Sequence, residues 1–289
     1  PPSTFPTPYR VTINSGQSLF SISEELSKDG AIRSKRVFEM LMMTFGSDKT
    51  INKGEYYFEK PISVVGVALR ISGRDFGVDR KKITFPEGFT NKQIAMRLDK
   101  ELSDFDSNLF LELAKDSEGY LFPDTYNFFP WSTPEVVLST LKKTFEQKTE
   151  SLNDEVSKSK RSLKEIMIMA SLIEKEARGE EDRYIISGIL WKRIEKGIPL
   201  QVDAPFLYIL GKESSELTIS DLSTNSPFNT YRYKGLPPAP IGNPGLESIK
   251  ASLRPTNSPY LYYLHDKNGN IYYAKTYDEH KQNIKKYLK

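Results

Sequence analysis

Hydrophobic and polar positions recur with two periods along this chain, and the switches between them mark its elements. Val11-Thr12-Ile13 alternates as a short strand. After Gly16, the apolar Leu19, Ile22 and Leu26 recur at helical spacing. A second helical pattern carries Val37, Leu41 and Met42 and stops at Gly46. Gly54 to Phe58 reads as a strand, and helix resumes from Val64 to Ile71. The order β-α-α-β predicts a small module over residues 10–78. Before it, PPSTFPTPY holds four prolines in residues 1–9 and has no apolar period, which predicts a flexible linker.

A larger region, residues 79–289, begins with a strand at Lys82 to Phe85. Three capping-box patterns open helices at Thr90-Gln93, Ser162-Glu165 and Thr276-Glu279. Thr133-Pro134-Glu135 starts a long helix, with Pro in the first turn, expected to reach about Ser157. Another helix is expected from Glu181 to Lys196, closed by Gly197. Leu200 to Asp203 reads as extended, and Asn243-Pro244 as a helix start. Two tyrosine-rich strands around Asn268-Gly269 predict a hairpin. The fold class is therefore α+β: a small β-α-α-β module followed by a larger mixed α+β domain.

Length agrees with that division, since 289 residues at about 150 per domain suggests two domains. The longest mostly apolar stretch, Ile166 to Ile173, is far short of the ~20 residues that span a bilayer. The first 150 residues hold 20 basic and 21 acidic side chains, and the rest hold 21 and 17. Neither half has the basic excess of a nucleic-acid binder, so no nucleic-acid partner is expected. Cysteine is absent and there are only two histidines, His265 and His280, both expected at the surface. Thiol chemistry and Cys zinc sites are excluded and multi-His metal sites nearly so, leaving mostly carboxylate, Lys or Tyr chemistry. No metal and no cofactor is expected.

The most informative segment is ASLIEKEA, residues 170–177, at the end of a helix apolar on almost every side. At about 100° per residue, Glu174 projects between Ala170 and Met167, and Glu176 between Leu172 and Met169. A carboxylate in apolar surroundings holds its proton to higher pH, which suits a general acid. The bland reading pairs both glutamates with Lys175, Arg178 or Arg183 at the helix end. Gln201 and Asp203 share one side of their extended stretch, either solvent-facing or toward a cleft. Asn229, Thr230 and Tyr231 sit in a Pro-flanked loop where turn chemistry is an equal reading. GLPPAPIGNPG predicts a rigid loop whose backbone groups could line a cleft.

ASLIEKEA, LQVDAPFLY and SPFNTYRYKGLPPAPIGNPGLESIKASLRPTNSPYLYYL, preceded by EGYLFPDTY, resemble the YceG-like endolytic murein transglycosylase family. The resemblance covers about residues 80–289, with several long motifs in order. The first module resembles, through its β-α-α-β order, the LysM-like subdomain of that family. Phe228 stands where the family commonly has Tyr, and Ala239 where it commonly has Gly.

The resemblance implies cleavage of peptidoglycan within its glycan strands, between N-acetylmuramic acid and N-acetylglucosamine, leaving a 1,6-anhydro end. It implies Glu176 as the single catalytic acid and then base, with Glu174 as reserve. Glu174, Gln201, Asp203, Asn229 and Tyr231 become substrate-binding residues. Helix geometry alone does not separate the two glutamates. Peptidoglycan glycan strands are the implied partner, with cell-wall synthases as further ones. The implied location is the bacterial cell envelope, anchored to the cytoplasmic membrane by an N-terminal helix absent from this chain, the catalytic domain facing the periplasm or wall. The competing reading is a non-catalytic wall-binding or scaffolding protein.

Overall fold

The computed structural model of the chain describes residues 1–45, 51–212 and 214–288. Gly46, the expected end of the second helix, lies outside the described residues. Two compact units result, Pro1–Arg80 and Lys81–Lys289, a break two residues beyond the one expected. The fold is α+β, and among the described residues every sheet is a single antiparallel strand pair. No helix among the described residues is long and apolar enough to cross a membrane.

In the first unit, β1 (Tyr9–Ile13) pairs with β2 (Gly54–Phe58), Tyr9 opposite Phe58. Between them lie α1 (Leu19–Lys28) and α2 (Lys35–Thr44), and after them α3 (Val64–Gly73). Each helix starts where a serine, Ser18, Ser34 or Ser63, accepts a first-turn backbone N–H. Ile22, Leu26, Phe38, Met42, Val67 and Ile71 pack on Val11, Ile13, Tyr56 and Phe58. On α2 the buried residues are Phe38 and Met42, whereas Val37 is exposed. The expected linker is not one: Phe5 is buried and meets the rings of Tyr9 and Phe58 edge-on at 5.9 Å. An aromatic inside a proline-rich stretch outweighed the composition around it.

In the second unit, β3 (Lys81–Thr84) pairs with β4 (Thr125–Phe128). They pack with α4 (Asn91–Glu101), α5 (Ser107–Leu113) and α6 (Pro134–Thr149) around Ile83, Leu98, Phe110, Tyr126 and Leu141. The long helix predicted to reach Ser157 stops at Thr149, where a 3-10 turn leads into α7 (Asn153–Lys158). Leu152 in that turn packs on Phe145 and Ile166, a contact that continuing the helix would redirect.

The centre of this unit is α8 (Leu163–Glu176), in which all eight residues from Ile166 to Ile173 are buried. Met169, Leu172 and Ile173 pack with Ile186, Leu190 and Trp191 of α9 (Glu180–Glu195). Ile166, Met167 and Ala170 pack with Phe122, Phe145, Leu152 and, on α11 (Leu246–Leu253), Ile249. Short α10 (Ala204–Leu210) precedes the loops and α11. The hairpin β5 (Tyr262–His265) and β6 (Ile271–Ala274) and helix α12 (Tyr277–Tyr287) complete the unit. The hairpin turns through Asp266 to Asn270, not through two residues: the Asp266 carboxylate gathers the N–H groups of Asn268 and Asn270, and Gly269 takes φ +88°.

Full capping boxes form at Thr90-Gln93 and Ser162-Glu165. At Thr276 only half forms, because the Glu279 carboxylate accepts from Lys275 N–H instead. One glycine sets the approach of the Thr256 segment to α9: a Cβ on Gly188 would come 2.0 Å from the Thr256 carbonyl oxygen. Gly188→Ala is expected to cost about 1–3 kcal/mol through overpacking. Urea unfolding measures it, and an unchanged midpoint would show that the Thr256 segment gives way freely.

Candidate active site

Glu176 is the last residue of α8, so its Cα is fixed by a helix buried on all sides. Beyond it the chain turns out at Ala177, whose N–H still bonds to Ile173. The carboxylate projects toward the hairpin, where the Tyr263 hydroxyl donates to Oε2 at 2.8 Å. Burial pushes the Glu176 pKa up to about 7; the Asp203 charge adds to this, while the bonds from Tyr263 and from the Ala204 N–H oppose it. Burial and the adjoining Glu176 hold the Tyr263 phenol protonated. Glu176 near neutral pH is thus divided between a proton donor and a proton acceptor.

Residues 200–203 do not form the expected extended stretch. Gln201 takes φ +52°, the left-handed region that side chains rarely occupy. The conformation is held by the loop opposite: Gln201 N–H donates to Thr230 O, and Val202 exchanges two bonds with the Thr230 hydroxyl. The same loop sends the Tyr231 hydroxyl to Asp203 Oδ1 at 2.6 Å. Burial, then this bond, raises the Tyr231 pKa, leaving the phenol a donor. Asp203 is thereby fixed next to Glu176.

Glu176, Gln201, Asp203 and Tyr231 come together on one hollow of about 440 Å³, walled also by Tyr262, Tyr263 and Tyr277. A second hollow of about 360 Å³ is lined by Lys175, Arg178 and Lys212. Glu176, Asp203 and His265 line both. The acid therefore stands at a waist, with tyrosines on one side and cations on the other.

Two expected site residues lie elsewhere. Glu174 does not line either hollow: its Oε2 accepts the Gly245 N–H at 2.8 Å at the start of α11, and its Oε1 pairs with Arg183 at 3.4 Å. Its role is to fasten α8 to α11. Asn229 is fully buried; its amide donates to the Leu222 and Thr224 carbonyls and its Oδ1 accepts from Tyr231 and Arg232 N–H. It shapes the loop that presents Tyr231. The PIGNPG loop acts similarly: buried Asn243 bonds Phe89, Asn91 and Leu121, and Ile241 N–H donates to Ser171 of α8.

Four side chains of the hollow had no sequence expectation pointing there. Tyr263 arrives from the hairpin. His265 and His280, expected at the surface, are half-buried in the hollow's wall, and burial lowers both pKa values. Arg193 on α9 is buried; its Nη2 donates to Gln201 Oε1 at 2.5 Å and its guanidinium lies 5.3 Å from the Tyr262 ring centre. The signal for Arg193 was available, because it continues the apolar face of Ile186, Ile189 and Leu190. A cation at such a position needs a polar reason to be there. Among the described residues, no His, Cys, Asp and Glu side chains group as a metal site.

The profile of the YceG-like family matches residues 11–286. An endolytic murein transglycosylase of Bacillus subtilis (strain 168) is 32% identical over 312 residues, covering 98% of this chain and 85% of that protein. One from Streptococcus pneumoniae serotype 2 (strain D39) is 26% identical over 322 residues; the match takes in 96% of this chain but only 58% of that longer protein. The 2.6 Å crystal structure of the yceG-like protein lmo1499 from Listeria monocytogenes superposes with a TM-score of 0.65 at 30% identity, covering 96% of this chain and 99% of that one. Motifs, fold and similarity along nearly all of this chain agree: the chain belongs to the YceG-like family.

Proposed function

We propose that this protein is an endolytic peptidoglycan lytic transglycosylase that uses Glu176 first as acid and then as base. The observation that carries the reading is the Glu176 carboxyl, poised near neutral pH at the waist between two open hollows. A hollow on each side suits a strand that continues in both directions from the cut. The names of the relatives support the same class of enzyme.

In the proposed reaction, Glu176 gives its proton to the oxygen joining muramyl C1 to the next N-acetylglucosamine. The C1–O bond breaks and positive charge develops at the ring, beside the Asp203 carboxylate held by Tyr231. Glu176, now ionised, takes the proton from the muramyl C6 hydroxyl. The C6 oxygen closes on C1 and leaves the 1,6-anhydro end. Ordinary glycosidases need a second carboxylate to attack or to activate water. Here the nucleophile belongs to the substrate and benefits from proximity. Gln201, held by Arg193, and the tyrosine wall would orient the sugars. The first unit is assigned as a LysM-like glycan-binding subdomain, and the site of action as the cell envelope.

Mass spectrometry of purified peptidoglycan after incubation tests the reading. Internal cuts with anhydro-muramyl ends are expected. Reducing ends would make the enzyme a hydrolase, and glycan binding without products would make it a wall-binding protein. Tyr263→Phe removes the hydrogen bond that favours ionised Glu176, so the acid should keep its proton to higher pH. The alkaline limb of the kcat/KM profile should then move up by about one pH unit. A limb that stays put would separate Tyr263 from the titrating acid.

A further inference from the structure

Another hollow of the second unit has no part in the chemistry above. It measures about 1160 Å³ and lies among α4, α5 and α10. Lys175, Ala204 and Leu207 line both it and the cationic hollow beside Glu176, so the two adjoin. Its walls carry Met96, Leu111, Tyr208, Leu210 and Ile241. Met96 is 65% exposed. Three exposed lysines, Lys92, Lys115 and Lys175, also line it, and none has an ion-pair partner among the described residues. The acidic group in the lining, Glu118, turns both oxygens to the Asn91 N–H at 3.1 and 3.3 Å. Burial pushes the Glu118 pKa up to about 7, so near neutral pH this one carboxyl offsets only part of the charge of three lysines.

We propose that this hollow binds the acidic peptide carried by peptidoglycan muramyl groups, holding peptide-bearing strands beside Glu176. The inference rests on the transglycosylase reading and adds a substrate determinant to it. Charge and shape distinguish this hollow from the tyrosine-walled one. Stacked aromatic faces suit pyranose rings, whereas unpaired lysines around aliphatic walls suit a short chain ending in carboxylates. Adjacency through Lys175 lets sugar and peptide engage together, because the peptide hangs from the same sugar that is cut.

Two measurements test it. First, a synthetic stem tetrapeptide with free carboxylates is titrated into the intact chain while the Met96 methyl resonance is followed by NMR. A saturable shift that weakens with added salt is expected. In the double variant Lys92→Glu, Lys115→Glu, affinity should fall about tenfold. Second, cleavage is compared on peptide-bearing strands and on strands stripped of peptide by an amidase. The double variant should lose about fivefold more kcat/KM on the peptide-bearing strands. The pair of exposed changes Lys142→Glu, Lys143→Glu on α6 matches the net charge and should alter neither ratio. No shift at Met96, or equal losses on both strands, would overturn the proposal. A wild type that binds the peptide yet cuts neither strand would leave the peptide site standing and defeat the catalytic reading.

Discussion

Glu176→Gln is expected to lower the release of anhydro-ended glycans by about 10³-fold or more, with the fold and glycan binding retained. The substitution keeps an oxygen for the Tyr263 hydroxyl but removes the proton that the leaving oxygen needs. Product formation followed by mass spectrometry, with circular dichroism as the folding control, reads both effects. Glu174→Gln is the matching comparison. It weakens the pairing with Arg183 and the link to α11, so it should lower thermal stability while leaving kcat per folded molecule largely intact. If Glu174→Gln were the silent enzyme and Glu176→Gln the active one, the roles of the two carboxyls would be exchanged.

The same Glu176→Gln variant should be more stable than wild type at alkaline pH. The sign follows from linkage. Folding raises the Glu176 pKa from 4.5 to about 7, so between those values the folded protein binds more protons than the unfolded chain. Stability supplied by the site is therefore present below pH 4.5, falls as pH rises through 7, and stays low above it. Gln carries no such charge. At pH 8 the variant should gain about 1–3 kcal/mol over wild type, and the two should converge near pH 4. Chemical denaturation at the two pH values measures the difference. A gain that does not depend on pH would mean that the Glu176 carboxyl is not the group under strain.

Much of this architecture was legible because it depends on local periodicity. Eight buried positions in a row along α8 follow from an apolar run without a polar stripe, and the boxes at Thr90 and Ser162 follow from spacing. What escaped were contacts made across the chain. Asn229 and Tyr231 sit two residues apart in one loop, but one side chain is consumed by its own turn and the other reaches Asp203. Nothing local distinguishes the asparagine that shapes a loop from one that meets a ligand. Glu174 and Glu176 presented the same difficulty. Both lie among apolar residues of the helix, and only distant partners, Gly245 for one and Tyr263 for the other, give them separate tasks. Phe5 was hidden by the prolines around it, since composition describes a segment and burial is decided by single side chains.

The placement of Glu176 at the tip of α8 also governs how the enzyme can change. A catalytic group on a free loop can be retuned by altering that loop. Here the proposed acid is the end of a rod whose middle, Ile166 to Ile173, is core, so repositioning it means repacking the interior against α9 and α11. The rims away from the acid are under less restriction: Lys92 and Lys115 can vary while the rod stays still. Diversification among related enzymes is therefore expected in which strands they accept, and not in where the proton is delivered.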